Sequence, residues 1–305
     1  MNSENTENKA TKAGYVALIG KPNVGKSTLM NAIMGAKLSI VSDKPQTTRK
    51  RVMGIHSTDE LQIVFVDTPG VLEPKYELHR TMMEYVSEAI ADADAVVVLV
   101  EATDPRRATE FLTEDFQKAL KRSGKPTILV LNKMDALKDR AEALPLMQKF
   151  VEMDIFKAVL PISALENKFV DDVLKELEQY IPEHEFYYDP EMLSTLPERF
   201  FVSELIREMV FELFKQEIPY STEVNVVEFK EREAGKWFIS AEIIVERTSQ
   251  KGIIIGAQGT MIKKIGERAR KKIEQHLQMP VFLELFVKVR EDWRDNPQML
   301  KGFGY

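Results

Sequence analysis

Positions 20–27 hold the sequence Gly20-Lys21-Pro22-Asn23-Val24-Gly25-Lys26-Ser27, which fits the phosphate-loop pattern G-x-x-x-x-G-K-[ST]. An apolar run at 15–19 precedes it, and a stretch at 27–34 with helical periodicity follows it. The backbone N–H groups of such a loop, together with the positive end of the following helix, bind concentrated negative charge. Glycines allow close approach of the backbone, Lys26 can reach the β- and γ-phosphates, and Ser27 can bind Mg²⁺. The stretch therefore predicts a strand–loop–helix unit that binds a triphosphate.

The bulk composition is that of a globular protein from a reducing compartment. The chain has 305 residues, enough for two domains, of which 44% are hydrophobic and 30% are charged. It contains no cysteine, which excludes disulfides, thiolate metal sites and cysteine nucleophiles. We expect residues 1–13 to form a flexible polar tail, because they lack the apolar segment of a secretory signal. The apolar runs are too short to cross a bilayer, so the sequence predicts a cytoplasmic protein.

Apolar runs alternate with amphipathic stretches over the first 180 residues, which predicts an α/β domain with a mostly parallel sheet. The predicted strands lie at 15–19, 51–56, 61–66, 95–100, 127–131 and 158–162. The predicted helices lie at 27–34, 76–90, 108–122, 137–151 and 170–180. A turn-rich segment at 57–60 joins the second and third strands, so we expect these two strands to pair as an antiparallel hairpin at one edge. The predicted domain spans 14–181.

A different order of elements follows an irregular, proline-containing linker at 182–198. The pattern predicts a helix at 199–216, strands at 222–231 and 236–247, a short helical or apolar turn at 251–255, a helix at 260–277 and a strand at 281–289. This α-β-β-α-α-β order predicts a second, α+β domain over 199–305.

Charge is distributed unevenly along the chain. The formal net charge is −6, yet residues 191–305 balance 18 basic against 18 acidic residues. Within that neutral part, residues 251–272 hold seven basic residues and one acid. Such a local excess of positive charge is typical of a surface that faces a polyanion, and a solvated helix face is the alternative that charge alone leaves open.

The segment Asp67-Thr68-Pro69-Gly70 follows directly on the predicted strand at 61–66. A carboxylate at the carboxyl end of a strand can hold Mg²⁺ through a water molecule. The backbone N–H of Gly70 can meet a γ-phosphate, and glycine tolerates the movement that follows its loss. A simple Asp-Pro-Gly turn is the alternative for this segment taken by itself.

The segment Asn132-Lys133-Met134-Asp135 follows another predicted strand and can read a base. Asp135 can accept hydrogen bonds from N1–H and the 2-amino group of guanine, whereas adenine has no donor at N1. Asn132 can support the loop, Lys133 can pack its stem on the ring, and a helix N-cap at Asp135 is compatible with this role. Ser163-Ala164-Leu165 follows the next strand, and its backbone N–H groups can contact guanine O6.

These four segments occur in the order found in GTPases, and the set resembles the GTPase superfamily. The resemblance implies that Gln46-Thr47-Thr48-Arg49 is switch I, whose threonine binds Mg²⁺ only with GTP. We favour Thr48 over Thr47, although the sequence leaves the register open. The predicted metal ligands are Ser27, Thr48 and Asp67. The predicted nucleotide-binding residues are Gly20, Lys21, Pro22, Asn23, Val24, Gly25, Lys26, Ser27, Thr28, Asp67, Thr68, Pro69, Gly70, Asn132, Lys133, Asp135, Ser163, Ala164 and Leu165.

Val71 stands where many small GTPases carry the glutamine that orients the attacking water. We therefore expect slow intrinsic hydrolysis. In related GTPases with a G-x-P-N-V-G-K-S loop, the asparagine can bind a K⁺ ion that replaces an arginine finger, and our hypothesis gives that role to Asn23. The predicted catalytic residues are Asn23, Lys26, Thr48 and Gly70.

The segment Gly256-Ala257-Gln258-Gly259 fits the pattern G-x-x-G, with three isoleucines before it, a helix after it and basic flanks. In this setting it resembles the loop of a type II KH domain, in which glycines bring N–H groups close to the phosphates of single-stranded RNA. An αα-turn in another small α/β domain is the alternative. The resemblance implies RNA contacts from Ile255, Gly256, Ala257, Gln258, Gly259, Lys263 and Lys264.

A GTPase domain followed by a KH domain resembles the Era family of bacterial ribosome-assembly GTPases over about residues 15–305. The likeness includes the switch I motif, the DTPGV turn and Gly302-Phe303-Gly304-Tyr305. Leu165 stands where lysine is frequent, and residues 1–13 have no counterpart. The family implies binding of GTP and GDP with Mg²⁺, binding of 16S rRNA near its 3′ end, a role in 30S subunit assembly and peripheral attachment to the inner face of the cell membrane. We expect a monomer.

One alternative from another class is an RNA-binding protein whose nucleotide site is regulatory and has negligible turnover. A tRNA-modifying GTPase resembles the loop at 20–27 but uses a C-terminal cysteine, which this chain lacks. A tandem-GTPase ribosome factor is excluded because the sequence has one phosphate loop.

Overall fold

The computed structural model describes residues 11–305, which form two compact units. The first unit contains the residues up to Ser39, Lys50–Val71 and Glu84–Thr195. The second contains Ile40–Arg49, Leu72–Met83 and Leu196–Tyr305. Two segments that the sequence places in the first domain thus belong to the second unit. Residues 1–10 of the predicted tail lie outside the described residues, and residues 12 and 13 belong to a strand.

The first unit is built on a sheet with the order β2-β3-β1-β4-β5-β6. All neighbouring strands are parallel except β2 and β3, which form the predicted antiparallel hairpin at the edge. The strands are β1 (Lys12–Gly20), β2 (Val52–Ser57), β3 (Leu61–Asp67), β4 (Ala95–Glu101), β5 (Thr127–Asn132) and β6 (Val159–Pro161). Every residue of β3, β4 and β5 is buried, as expected for strands covered on both faces.

Helices connect these strands along the chain. They are α1 (Lys26–Met34), α2 (Glu77–Asp92), α3 (Pro105–Phe111), α4 (Glu114–Ser123), α5 (Leu144–Glu152) and α6 (Val170–Glu178). The single helix predicted at 108–122 is wrong, because the side chain of Thr113 caps a new helix by accepting a hydrogen bond from the N–H of Phe116 at 3.3 Å. The helix predicted from residue 137 begins as an α-helix only at Leu144, after short 3₁₀ turns.

The second unit has the predicted α-β-β-α-α-β order and one further helix. Its elements are α7 (Glu198–Leu213), β7 (Glu223–Lys230), β8 (Trp237–Val245), α8 (Thr248–Ile255), α9 (Thr260–Leu277), β9 (Val281–Val289) and α10 (Pro297–Gly302). The sheet order is β7-β8-β9, with β7 antiparallel and β9 parallel to β8. Apolar side chains of α7, α8 and α9 form a core against one face of this sheet. The predicted fold class, an α/β domain followed by an α+β domain, is confirmed.

Candidate nucleotide site and RNA-binding groove

The four motifs of the first unit lie at the carboxyl ends of strands that are neighbours or near neighbours in one sheet. The phosphate loop follows β1, Asp67 ends β3, Asn132 ends β5, and Ser163 lies just beyond β6. Ligands of such sheets bind at the carboxyl ends of parallel strands. The structure therefore brings together residues that are up to 143 positions apart in the sequence, from Gly20 to Ser163.

The shape of the phosphate loop, residues 20–27, depends on Gly25 and on contacts with Asn132. Gly25 has φ +99°, and a Cβ atom there would lie 2.1 Å from Nδ2 of Asn132, so glycine is required on both counts. The side chain of Asn132 donates a hydrogen bond to the carbonyl oxygen of Val24 at 2.9 Å. Its Oδ1 accepts a hydrogen bond from the N–H of Ala164 at 3.0 Å. Asn132 thus joins the phosphate loop to the segment after β6.

Lys26 is buried at the start of α1 and points back into the loop. Its ammonium group donates to the carbonyl oxygens of Gly20 at 3.1 Å and Lys21 at 3.2 Å. Burial lowers the pKa of Lys26 to about 8, and the positive charge of Arg107 also lowers it, while Asp67 opposes the shift. An anion bound beside this lysine would raise its pKa again, because the negative charge stabilises the charged form.

Ser27 and Asp67 supply the oxygen ligands of the predicted metal site. Oγ of Ser27 donates a hydrogen bond to Oδ2 of Asp67 at 2.7 Å, and Asp67 is completely buried at the end of β3. A hydroxyl and a carboxylate are hard oxygen donors, which suits Mg²⁺. Within residues 11–305 there is no group of three or more His, Cys, Asp or Glu side chains that could hold a metal ion.

The loop after β3 is fixed against the phosphate loop. The hydroxyl of Thr68 donates to the carbonyl oxygen of Leu18 at 2.7 Å, and the N–H of Val71 donates to Gly20 at 3.0 Å. A Cβ atom on Gly70 would lie 2.6 Å from the backbone nitrogen of Pro22. Glycine at position 70 is therefore required for this close approach, in addition to the role expected from the motif.

Asp135 is oriented by Ser163, a residue of the second predicted base-contact segment. Oγ of Ser163 donates to Oδ1 of Asp135 at 2.5 Å, and the same hydroxyl accepts from the N–H of Glu166. This bond leaves the second carboxylate oxygen of Asp135 for a ligand and fixes the plane of the group. In contrast, the side chain of Leu165 is 77% exposed, so only its backbone is suited to a nucleotide contact.

Two residues that the sequence motifs did not identify support the site. Glu101, at the end of β4, binds Lys133 at 2.5 Å through one oxygen and Arg107 at 2.9 Å through the other. Arg107 also donates to the carbonyl oxygen of Pro22 at 2.7 Å. The only sequence signal for Glu101 is its position as an acidic residue at the carboxyl end of an otherwise apolar strand. Arg107 carries no motif.

Thr47 and Thr48 lie in Ile40–Arg49, which is part of the second unit. Thr48 is buried, with 8% of its surface exposed. Asn23 adopts φ +67°, a left-handed conformation that asparagine tolerates better than most residues. The roles of Thr48 and Asn23 stay predictions.

The G-x-x-G segment of the second unit forms a tight turn between α8 and α9. Gly256 has φ +73° and Gly259 has φ +78°, and a Cβ atom on Gly256 would lie 2.7 Å from the side chain of Met261. Lys263 and Lys264 are exposed in the first turns of α9. The N–H groups of Gly256 and Gly259 donate to the carbonyl oxygens of Gly252 at 2.9 Å and Gly256 at 3.2 Å. The exposed lysines beside the turn are therefore the clearest feature of a phosphate site here.

A groove of about 400 Å³ lies beside this turn, between α9 and the edge strand β9. It is lined by Ile262, Lys263, Gly266, Glu267 and Arg270 of α9 and by Leu283 and Leu285 of β9. The Nε atom of Arg270 is buried and has no hydrogen-bond partner within residues 11–305. The sequence predicted the turn and Lys263, but not the wall formed by β9.

The basic patch predicted at 251–272 is smaller in the structure than in the sequence. Lys272 forms ion pairs with Glu208 at 3.0 Å and Glu212 at 2.7 Å on α7, and Arg268 lies 3.9 Å from Glu212. These two basic residues therefore serve the packing of α9 on α7. The charge available to a polyanion is concentrated nearer the start of α9.

Comparison with known proteins identifies the family. A family model described as 50S ribosome-binding GTPase matches residues 15–133, and a KH-domain model matches residues 217–294. GTPase Era of Geobacter sp. (strain M21) is 45% identical over 298 residues, covering 97% of this chain and 99% of that protein. The chain belongs to the Era family of GTPases. A chloroplastic ERA1 GTPase of Zea mays is 47% identical over 96% of this chain and 70% of its own length.

Solved Era structures share the whole architecture. A variant of Aquifex aeolicus Era bound to GDP·AlF4⁻ matches with a TM-score of 0.91 and 40% identity, covering 97% of this chain and 99% of that chain. An Era complex with MgGDPNP and nucleotides 1506–1542 of 16S ribosomal RNA matches with a TM-score of 0.92 at the same identity and coverage. As a member of the Era family the chain is a GTPase. None of the helices within residues 11–305 is long and apolar enough to cross a membrane.

Proposed function

We propose that the chain is a GTP-hydrolysing switch that binds 16S rRNA near its 3′ end and acts in assembly of the 30S subunit. The observation that carries the proposal is the convergence of Lys26, Ser27, Asp67 and Asp135 at one end of the sheet, in a chain that also has a KH groove. The similarity to an Era protein solved with MgGDPNP and 16S rRNA supports both ligands.

The phosphates of GTP would lie in the loop at 20–27. The N–H groups of that loop and the start of α1 provide positive partial charge, and Lys26 adds a full charge that burial has already freed of water. Ser27, Thr48 and Asp67 would hold Mg²⁺, which neutralises charge on the β- and γ-phosphates. Loss of the γ-phosphate would release Gly70 and Thr48, and this release is the switch.

The base would be selected by Asp135. With one oxygen fixed by Ser163, the carboxylate has a defined plane in which it accepts from N1–H and the 2-amino group of guanine. Adenine would leave the carboxylate facing an acceptor at N1, which is the kind of unpaired polar contact that gives strong discrimination.

Hydrolysis needs a group that replaces the missing glutamine, since Val71 has no polar side-chain atom. We propose that Asn23 contributes by binding K⁺ beside the phosphates. The expected outcome is faster GTP hydrolysis in KCl than in NaCl at equal ionic strength, with the difference lost in Asn23→Ala. Equal rates of phosphate release in the two salts would remove the K⁺ role.

RNA would bind along α9. Its phosphates would meet the turn at 256–259 and the side chains of Lys263 and Lys264, while bases would enter the groove between α9 and β9. Leu283 and Leu285 offer an apolar wall for the bases, and the buried Nε of Arg270 offers a hydrogen-bond donor inside the groove.

Single-turnover phosphate release tests the function directly. We expect measurable GTP hydrolysis that increases when an RNA with the 3′ end of 16S rRNA is added, and no increase with an RNA of scrambled sequence. Hydrolysis at the background rate under both conditions, with RNA binding intact, would favour the alternative of an RNA-binding protein with a regulatory nucleotide site.

Sedimentation tests the ribosomal partner. The matched family model is described as 50S ribosome-binding, whereas 16S rRNA belongs to the small subunit. We expect the protein with GDPNP to sediment with 30S subunits and not with 50S subunits. Preferential sedimentation with 50S subunits would contradict the proposed partner.

A further inference from the structure

The carboxylate of Glu101 lies at the carboxyl end of β4, and only 6% of the surface of this residue is exposed. In the parallel pairing of β4 with β5, Glu101 stands opposite Asn132. The N–H of Ala102 donates to the carbonyl oxygen of Asn132 at 2.9 Å, which extends this pairing by one residue. The sheet therefore brings Glu101 beside Lys133, the residue that follows Asn132. A buried carboxylate needs such a partner, because an unpaired charge in the interior is costly.

Both oxygens of Glu101 are used, and each contacts a different part of the first unit. Oε2 accepts from the ammonium of Lys133 at 2.5 Å, in the base-contact segment that follows β5. Oε1 accepts from the guanidinium of Arg107 at 2.9 Å, on α3. Neither cation can leave without uncovering a charge in a buried position, so the carboxylate holds both in one geometry. One side chain thus connects α3 with the base-contact segment.

Arg107 is fixed at its backbone as well as at its guanidinium. It lies in the first turn of α3, and its N–H donates to the side chain of Asp104, the N-cap of that helix, at 2.9 Å. A second nitrogen of the guanidinium donates to the carbonyl oxygen of Pro22 in the phosphate loop at 2.7 Å. A planar guanidinium that is bound at two positions has a defined direction. The carbonyl oxygen of Pro22 is therefore held on the side that faces α3.

This bond decides the direction of the next N–H group in the loop. No cis peptide bond occurs within residues 11–305, so the peptide between Pro22 and Asn23 is trans. A trans peptide is planar, and its C=O and N–H groups point in opposite directions. Because the carbonyl oxygen is held toward Arg107, the N–H of Asn23 points away from α3. The side chain of Arg107 thus sets the orientation of a backbone donor that belongs to the phosphate loop.

Both ends of this network are constrained in the same way. Asn23 and Lys133 each have φ +67°, a left-handed conformation that residues other than glycine rarely adopt. Such conformations persist where the surrounding contacts fix them, and they are frequent at binding sites. The contacts centred on Glu101 thus end at two residues in this conformation, one in the phosphate loop and one in the base-contact segment.

We propose that Glu101 is a positioning residue for both halves of the nucleotide site: through Arg107 it turns the N–H of Asn23 toward the phosphates, and through Lys133 it holds the side chain that packs on the base. This inference rests on the proposed function, in which the phosphate loop binds the phosphates and Lys133 packs on guanine. A site that is already oriented loses less freedom on binding, which increases affinity. GDP and GTP share the base and two phosphates, so Glu101 should serve both nucleotides equally.

The variant Glu101→Met tests the proposal, because methionine keeps the bulk of the side chain and offers no oxygen to either cation. We expect affinity for GDP and for GDPNP to fall by the same factor, about tenfold, as for loss of a hydrogen bond to a charged group. Glu101→Gln keeps one acceptor oxygen and should lose less affinity, and it replaces the methionine variant if that variant does not fold. Titration calorimetry with the two nucleotides measures both factors. The matched control is Arg106→Gln, which changes an exposed arginine next to Arg107 and should alter neither affinity.

Nuclear magnetic resonance of the nucleotide-saturated variants separates the two arms of the network. The phosphorus signal of the β-phosphate of bound GDP reports on the phosphate loop, and the imino proton of its guanine reports on the base. We expect Arg107→Gln to shift the phosphorus signal alone and Lys133→Gln to shift the imino signal alone. Glu101→Met should shift both. A general loss of stability would not move one signal and spare the other.

Three results would overturn the proposal: native nucleotide affinity in Glu101→Met, a loss of affinity confined to GDPNP, or a shift of fewer than both signals in that variant. A loss of affinity in Arg106→Gln equal to that in Arg107→Gln would also overturn it, since any change in α3 would then have the same effect. Failure of the native protein to bind guanine nucleotides would instead overturn the proposed function.

Discussion

At the scale of single residues, Asp135 is the clearest determinant of base choice, since its carboxylate is held by Ser163 at 2.5 Å. Replacing the carboxylate by an amide in Asp135→Asn puts a donor where guanine also presents donors. Xanthine instead carries a carbonyl oxygen at C2, which can accept a hydrogen bond from the amide N–H of the new asparagine. We expect preference to shift from GTP toward xanthosine triphosphate by at least about tenfold, given the cost of an unpaired polar contact. Competition binding with the two nucleotides measures the shift, and unchanged GTP preference would remove Asp135 from base recognition.

The pKa of Lys26 predicts a pH dependence of nucleotide binding. Burial lowers that pKa to about 8 in the free protein, whereas bound phosphates stabilise the charged form. Below pH 8 the lysine is already protonated, so affinity should be constant. Above pH 8 binding must take up a proton, so GTP affinity should fall by up to about tenfold per pH unit.

Titration calorimetry near pH 8.5, in buffers that differ in ionisation enthalpy, measures this proton uptake. The same shift makes the nucleotide-free fold more stable as pH rises from 8 toward 10, since the unfolded lysine holds its proton longer. A flat GTP affinity between pH 7 and 8.5 would show that Lys26 stays charged in the free protein.

Residue roles were predictable where a motif follows a strand. Lys26, Asp67 and Asp135 stand at fixed places in short patterns, and parallel strands bring those places to one edge. Glu101 and Arg107 were not predictable, because their roles arise from contacts between the end of β4, the start of α3 and the loops. Such contacts depend on the sheet order, which no local pattern states.

At the scale of elements, α9 combines the G-x-x-G turn with one wall of the groove. Gly266 lies on that wall in the middle of the helix, and a Cβ atom there would meet the side chain of Leu285 at 3.6 Å, an ordinary contact. Glycine within a helix costs about 1 kcal/mol relative to alanine. The residue therefore leaves room in the groove at a cost in helix stability.

The pair Gly266→Ala and Gly266→Leu separates these two effects. Both replacements should raise the midpoint of thermal unfolding, because both favour the helix. Gly266→Ala should keep most of the RNA affinity, whereas the leucine side chain should fill the groove and weaken binding at least about tenfold, as loss of a base contact would. Fluorescence anisotropy with a labelled 16S 3′-end RNA measures the difference. Equal RNA affinity in the two variants would place the bases outside this groove.

The order of elements in the second unit was predictable, since strands with near alternation and a basic amphipathic helix have distinct periods. The pairing of β9 with β8 and the groove it completes were not, because β9 lies far from β8 in sequence and its parallel register is set by the packed core. The break between α3 and α4 was missed for a local reason: Thr113 is a good N-cap inside an otherwise helical pattern.

At the scale of the whole molecule, two segments beside the nucleotide motifs belong to the second unit: Ile40–Arg49, which contains Thr48, and Leu72–Met83, which follows the loop of Gly70. Leu78 and Met82 of Leu72–Met83 belong to an apolar cluster with Trp293. In Ile40–Arg49, the buried guanidinium of Arg49 donates hydrogen bonds to backbone carbonyl oxygens of residues 219, 220 and 222 in the same unit. This grouping was not predictable from the sequence, since both segments lie among the first domain's motifs without a break in the pattern. It depends on tertiary contacts between residues 160 and 173 positions apart in the sequence.

This grouping predicts that nucleotide and RNA binding are thermodynamically linked. If the switch segments adopt one arrangement with GTP, and the unit that contains them also holds the RNA groove, each ligand favours the form that the other binds. The factor by which GDPNP raises RNA affinity must equal the factor by which RNA raises GDPNP affinity. We expect this factor to be at least about fivefold, with GDP giving none. Calorimetric titration of RNA into the GDPNP and GDP forms, and of GDPNP into the free and RNA-bound forms, measures the two factors.

Gly259→Asp is the control for this link. The new carboxylate should repel RNA phosphates at the turn and so abolish the effect of RNA on nucleotide affinity. Binding of GDPNP to the free variant should stay near normal. RNA affinity that is the same with GDPNP, with GDP and without nucleotide would contradict the link and leave two independent binding activities in one chain.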